Sequence, residues 1–218
     1  LKMGFKFIAD NCLKFIIEGV TYLTQRDNEI APSISCFATS MGMVVETILR
    51  LLGLDKTAIG CASNMQTEDY INQCMESKEV DIWLKNNISR IGRWVLNYKR
   101  RTIYVIEAYV FNLLMNPHGY EAAYKSVTFD ELCDILYTTK LPCVVGGNFS
   151  SVSTVKGHMV CAIGYNTIGI KELIVHDPYG DALKGYKNID GNARVYGSKF
   201  FEDSKGKINI ISFKRREV

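Results

Sequence analysis

Residues 32–45 read Pro-Ser-Ile-Ser-Cys-Phe-Ala-Thr-Ser-Met-Gly-Met-Val-Val, and the fold turns on how this stretch is divided. Its first four residues have loop composition. From Cys36 onward Phe37, Met41, Val44, Val45, Ile48, Leu51 and Leu52 recur at helical spacing until Gly53 stops them. The pattern predicts a strongly apolar helix over 36–52. That helix starts on a cysteine. A thiol in the first helical turn meets unbonded backbone N–H groups and the positive end of the helix dipole, and both favour the thiolate. The same position also suits a cysteine used as a small residue at a tight helix start. Residues 32–45 alone leave both readings open.

The whole chain has 218 residues, of which 47% are hydrophobic and 22% charged, the make-up of a soluble globular protein. A chain this long buries roughly 70% of its unfolded surface, so it folds without needing disulfides or a structural metal. Disorder, collagen and coiled coil are excluded. A net charge of +3 is too small to demand a nucleic-acid partner. The seven cysteines are less ordinary: an odd count leaves at least one thiol unpaired. None forms a Cys-x-x-Cys pair, and with three histidines no zinc-finger spacing can be assembled. No metal or cofactor is implied. The best apolar run, 42–54, is interrupted by Glu46 and Arg50 and is too short to span a membrane. Residues 5–18 show helical spacing but lack the long uncharged core of a signal peptide. The start at Leu1 rather than Met suggests processing or excision from a longer chain.

With no repeat, no low-complexity tract and only four prolines, the chain reads as one domain, 1–218, whose character changes near residue 140. Before that point helices are expected over 67–76 and 79–97, the second weakened by Gly92. Thr128 with Glu131 is a capping-box signature that opens a helix to about Tyr137. Tyr104, Tyr109, Tyr120 and Tyr124 read as packing between helices. After residue 140, short β-branched or aromatic runs at 143–145, 159–163, 173–175 and 208–213 read as strands. The expected fold is α+β, with a helical lobe over about 1–140, a mostly antiparallel sheet lobe over about 141–218, and a cleft between them.

Three further residues carry chemical promise. His158 follows Gly157 at the mouth of an apolar strand, where it can take a proton from a thiol and return it to a leaving amine. Asp177 ends the next strand in a rigid Asp-Pro-Tyr-Gly turn. If the two strands are antiparallel, the start of one and the end of the other lie side by side, so Asp177 can orient the imidazole. Gln25 offers a side-chain amide N–H which, with the backbone N–H of Cys36, can hold a tetrahedral oxyanion. Each also has a plain reading: a sheet-edge histidine, a turn aspartate, a loop glutamine.

The run Tyr22-Leu23-Thr24-Gln25-Arg26-Asp27-Asn28, then Pro32-Ser33-x-x-Cys36-x-x-Thr39-Ser40-x-Gly42-Met43, resembles papain-like cysteine peptidases. It is similar in particular to the bacteriocin-leader (double-glycine) peptidase-like family. Gly157-His158-x-Val160-x-x-x-Gly164-Tyr165 and Val175-x-Asp177-Pro178-x-Gly180-Asp181 resemble that family's histidine and aspartate blocks. The resemblance spans about residues 20–50 and 140–185. It implies a papain-like two-lobed fold in which Gln25 lines the oxyanion hole, Cys36 attacks, His158 is base and then acid, and Asp177 orients it. The chain departs from the common pattern at Phe37-Ala38, where many relatives carry Gly-Pro, and in the long gap from Gln25 to Cys36. Some relatives in export transporters lack the cysteine and only bind peptides, whereas this chain keeps both Cys36 and His158. The Gln-Arg-Asp-Asn form also resembles segments of phage-encoded and cell-wall-directed members. That implies a lysin-like enzyme acting on a peptidoglycan cross-link or stem-peptide bond, with substrate choice residing in the helical insertion, 55–135.

Three functions follow: a thiol peptidase, an acyl or amide transferase on the same residues, and a peptide-binding module without turnover. Lys99-Arg100-Arg101 and Lys214-Arg215-Arg216 read as solvated faces. Gly146-Gly147-Asn148 lacks the Lys-Ser/Thr of a phosphate loop. His118 has no carboxylate cluster beside it, and strand alternation turns His176 away from the Asp177 side. The spacing of Asp177, Asp181 and Asp190 is not that of an EF-hand loop.

Overall fold

The apolar run after Ser35 folds as helix α1 (Cys36–Leu51), and its chain leaves through Gly53 at φ +69°. A computed structural model describes residues 13–87, 104–155 and 157–217. Helix α2 (Thr67–Met75) matches the expected span closely. Helix α3 (Lys78–Asn87) covers the first half of the next one; the remainder, with Gly92 and the Lys99-Arg100-Arg101 run, lies outside the described residues. Helix α4 (Tyr104–Met115) buries Ile106, Val110, Phe111 and Met115, and apolar residues all round a helix mark a buried one. Helix α5 (Phe129–Thr139) opens with the expected capping box. Glu131 N donates to Thr128 Oγ1 at 3.2 Å, and Thr128 N to Glu131 Oε2 at 2.6 Å.

Seven strands occur among the described residues: β1 (Lys14–Ile16), β2 (Tyr120–Val127), β3 (Cys143–Gly147), β4 (His158–Asn166), β5 (Glu172–His176), β6 (Arg194–Gly197) and β7 (Ile208–Arg215). They form one antiparallel sheet in the order β2-β7-β3-β4-β5-β6, with β1 also paired to β4. The central strands β3, β4, β5 and β7 are covered on both faces and are apolar on both sides. Met159, Cys161 and Ile163 of β4 and Ile211 and Phe213 of β7 pack with α1 to α4; Val160, Ala162, Ile208 and Ile210 pack with α5.

Two expectations are corrected. The helical spacing over 5–18 ends, in its described part, as β1. Phe15 and Ile17 turn toward the core while Lys14, Ile16 and Glu18 face out, because pairing of Phe15 with Tyr165 imposes a period of two. Tyr120 and Tyr124 do not sit between helices. They lie on β2, where Tyr124 donates its hydroxyl to Asn209 Oδ1 of β7 at 2.9 Å. Strands β1 and β2 therefore come from the stretch whose pattern is mostly helical. No helix among the described residues is long and apolar enough to cross a membrane.

Ile48 is fully buried in the middle of α1. Ile48→Ala should lower unfolding stability in urea by about 3 kcal/mol, through lost burial plus the cavity left behind. Leu52→Ala, at the exposed end of the same turn, should change it by less than about 1 kcal/mol.

Candidate active site

Cys36 is the first residue of α1, and the loop before it is pinned from two sides. Buried Asn28 donates through Nδ2 to Ser35 Oγ at 2.8 Å and to Thr39 Oγ1 at 3.0 Å. The Asp69 carboxylate of α2 accepts from the backbone N–H groups of Glu29 and Ile30 at 3.0 and 2.9 Å. The first backbone bond of the helix runs from Thr39 N to Ser35 O, so the N–H of Cys36 lies in the unbonded first turn.

His158 begins β4 and Asp177 directly follows β5. The pairing of Cys161 with His176 carries both to the same end of the sheet. His158 Nε2 and Asp177 Oδ1 are 2.6 Å apart, which leaves Nδ1 as the ring nitrogen available to Cys36. Asp177 is wholly buried, and its carboxylate is fully engaged. Oδ1 also accepts from Tyr179 N at 2.9 Å, and Oδ2 accepts from the Tyr196 hydroxyl at 3.0 Å. Burial first, and then the Asp177 charge, hold the Tyr196 phenol far above its usual range, so it stays a donor. Behind Asp177 its backbone N–H donates to Gly191 O at 2.9 Å. A Cβ on Gly191 would lie 1.8 Å from Asp177 O, so only glycine fits there. Around the imidazole, Phe149 and Tyr186 stand edge-on with centroids 5.8 Å away, excluding water.

Gln25 is almost wholly buried on a single 3-10 turn, Gln25–Asp27. Its Nε2 donates to Pro32 O at 2.7 Å, using one of two amide hydrogens. The turn is tied to the Asp177 loop: Gln25 N donates to Pro178 O at 2.9 Å and Arg26 Nε to Tyr179 O at 2.8 Å. The Arg26 guanidinium also lies 4.2 Å over the Tyr179 ring. Whatever positions Asp177 therefore also positions Gln25.

Gln25, Cys36 and His158 line one cleft of about 580 Å³, with Asp177 buried behind the imidazole. Gly146, Gly147 and Asn148 form another wall, and Phe200 to Asp203 close one side. Tyr104 of α4 lies so close that a Cβ on Gly146 would meet its hydroxyl at 1.8 Å.

The electrostatics single out one thiol. Burial works against the Cys36 thiolate, but His158 and the backbone N–H groups of Met159 and Phe37 outweigh it, so the thiol is held below its ordinary range. Burial also opposes charge on His158; the Asp177 carboxylate and then Cys36 overcome this and push the imidazole up to about 10. Every other described cysteine moves the opposite way. Burial raises Cys61, Cys74, Cys133 and Cys161, and lifts Cys143 to about 12. Cys12 lies outside the described residues. The fully buried Glu107 of α4, whose two oxygens have no hydrogen-bond partner, is driven well above the carboxylate range by burial and then by Cys36. It presents a neutral acid rather than a competing charge.

The other candidates are accounted for elsewhere. His176 accepts from Ala193 N through Nδ1 at 3.1 Å and donates through Nε2 to Val20 O at 3.2 Å, and burial holds it neutral. Asp181 and Asp190 share Arg194, and exposed Lys214 pairs with Glu121 at 3.0 Å. Three residues that shape the site are given no role there by the sequence. Tyr196 is a single polar group in ordinary surroundings, Asn28 belongs to the block around Gln25 without a role of its own, and Tyr104, read as a packing residue, reaches the cleft through the packing of α4.

The sequence matches the family described as "Peptidase_C39 like family" over residues 17–204. No curated protein matches it. Among solved structures, UfSP from C. elegans is 17% identical with a TM-score of 0.36, over 74% of this chain and 31% of that one. The chain thus spans about a third of that protein's length. The recombinant stem bromelain precursor is 14% identical with a TM-score of 0.41, over 94% of this chain and 71% of that one.

The shifted pair sets a pH window for reactivity. Alkylation of Cys36 by iodoacetamide should switch on as pH rises through a value below the ordinary thiol range of about 8.5. Mapped by mass spectrometry, Cys36 should label first among the described thiols near neutral pH. In His158→Ala the onset should move up, because only the backbone N–H groups of Met159 and Phe37 then oppose burial. Equal labelling of Cys36 and Cys61, or an unmoved onset, would contradict the assignment.

Proposed function

We propose that this chain, which belongs to the Peptidase_C39-like family, is a cysteine peptidase that cleaves a peptide or amide bond with Cys36 as nucleophile, His158 as base and acid, Asp177 as the group that orients the imidazole, and Gln25 as an oxyanion donor. The observation that carries this reading is the line Cys36–His158–Asp177 at the mouth of one cleft, with His158 Nε2 and Asp177 Oδ1 2.6 Å apart. The thiolate attacks the carbonyl carbon and forms a C–S bond while the carbonyl electrons move onto oxygen. The backbone N–H of Cys36 and the second amide hydrogen of Gln25 are the donors suited to that oxyanion. The C–N bond breaks as His158 gives its proton to the leaving amine, which leaves a thioester. His158 then takes a proton from water, the hydroxide displaces the thiolate, and the carboxylic acid departs.

An extended substrate strand suits the walls of the cleft. The β3–β7 pairing stops at Val145 opposite Ile210, while Gly146 and Gly147 continue along β4 alone, without side chains, and line the cleft. Main-chain contacts to such a ledge hold an extended peptide whatever its side chains. The narrower substrate in this proposal is a peptidoglycan cross-link or stem-peptide amide, which also takes extended form; a phage-encoded, lysin-like role goes with it. The test incubates wild type and Cys36→Ala with purified bacterial cell walls and, separately, with a denatured protein, and measures released amines. Amines from walls alone, absent with Cys36→Ala, support the wall reading. Cleavage of denatured protein alone overturns the wall reading and leaves a general peptidase, and no release from either substrate overturns the proposal.

Substitutions should grade by role. Cys36→Ala should abolish turnover. Asp177→Asn should lower kcat by about 10⁴-fold, because the imidazole loses its orienting charge. Gln25→Ala should lower kcat by about 10²-fold with little change in KM, the mark of an interaction made in the transition state.

A further inference from the structure

Thr24 and Asp27, which flank Gln25, also line a second cavity of about 230 Å³. Glu46 of α1, Thr67 and Glu68 of α2, and Lys56 form much of the rest. Its charge is unbalanced, with three carboxylates against one ammonium in a chain whose net charge is positive. Lys56 offsets only one of the three, and its Nζ donates to the carbonyl of Met65 at 2.5 Å. Glu46 Oε1 accepts from the Thr67 hydroxyl at 2.7 Å. Glu68 is the telling residue. It is 3% exposed and lines the cavity, and among the described residues no side chain donates a hydrogen bond to it. A carboxylate buried this far is ionised only at a cost, which protonation removes and a bound cation offsets.

Among the described residues no group of three or more His, Cys, Asp or Glu is disposed to hold a metal ion. The cavity instead has the volume of several waters, and Tyr22, Leu23 and Gln66 also line it. We propose that this cavity binds an organic cation, the guanidinium or ammonium group of a small molecule or of a basic side chain, between Glu68, Glu46 and Asp27. A planar guanidinium presents several N–H donors at once, which matches carboxylates spread around a void better than a point charge does.

The groups facing Glu68 also set how binding depends on pH. Burial first, and then Glu46, Asp27 and Asp69, push Glu68 up to about 7; Lys56 and Tyr22 face the same cavity. A cation favours the ionised form, so affinity rises as pH rises through about 7.

The proposal is tested on Cys36→Ala protein, so that its outcome is independent of the peptidase reading. Methylguanidinium chloride is titrated against equal sodium chloride, with amide NMR shifts of Asp27, Thr67 and Glu68 as the readout. Saturable shifts at these amides that tighten between pH 6 and 8 are expected. Glu68→Gln should weaken them about tenfold or more, since a charge-assisted hydrogen bond is lost, while the remaining spectrum reports an intact fold. Lys56→Met should strengthen them. The peptide Gly-Arg-Gly, compared with Gly-Gly-Gly, distinguishes the sources: tighter binding than methylguanidinium assigns the site to a basic side chain, weaker binding to a free cation. Equal shifts with sodium chloride, an unchanged affinity in Glu68→Gln, or saturation by calcium chloride alone would overturn the proposal.

Discussion

The contact between His158 and Asp177 governs the rest of the site. Two ionisable groups lie 2.6 Å apart, with Asp177 fully buried, and such a pair is tolerated only where further hydrogen bonds support it. Tyr196 donates to Oδ2 and the Tyr179 N–H to Oδ1. The backbone of Asp177 is held in turn by Gly191, and Arg26 and Gln25 bond to the next two residues. One turn after β5 therefore fixes the imidazole, the oxyanion glutamine of the proposed reaction and part of the cleft wall.

The same contact separates Cys36 from the other thiols. Burial alone keeps a cysteine protonated, as it does for Cys143 and Cys161 inside the sheet. At Cys36 the N-terminus of α1, two backbone N–H groups and a histidine held cationic by Asp177 all oppose that tendency. All six described cysteines are free thiols. Five of them are buried or half-buried packing groups, and the remaining one, Cys36, sits where three sources of positive potential converge.

Much of this was legible wherever a single element carried the signal. Helix α1 follows from seven apolar residues at one spacing and a glycine stop, and α5 from Thr128 and Glu131. The nearness of His158 and Asp177 follows from antiparallel neighbours and a stiff Asp-Pro-Tyr turn. The signal failed where long-range pairing decided the outcome. Strand β2 exposes Tyr124, Lys125 and Ser126, so it has no apolar alternation to read and exists by pairing with β7. Strand β1 has helical spacing but is drawn into the sheet by β4. Tyr196 was invisible because a lone buried hydroxyl has no pattern, and Asn28 reads as part of the Gln25 block without its role in pinning the loop before Cys36. The acidic cavity was invisible for a related reason: Asp27, Glu46 and Glu68 are far apart in the chain and meet only when α1 and α2 pack.

Asp177 should keep His158 protonated beside Cys36 across neutral pH and so favour the Cys36 thiolate. Nitrogen-15 NMR of the His158 imidazole reads this directly. The account predicts a doubly protonated ring that persists well above the ordinary histidine value of about 6.5, and an ordinary or lower titration in Asp177→Asn. A wild-type His158 that loses its proton near the ordinary value, with no change on Asp177→Asn, would contradict it.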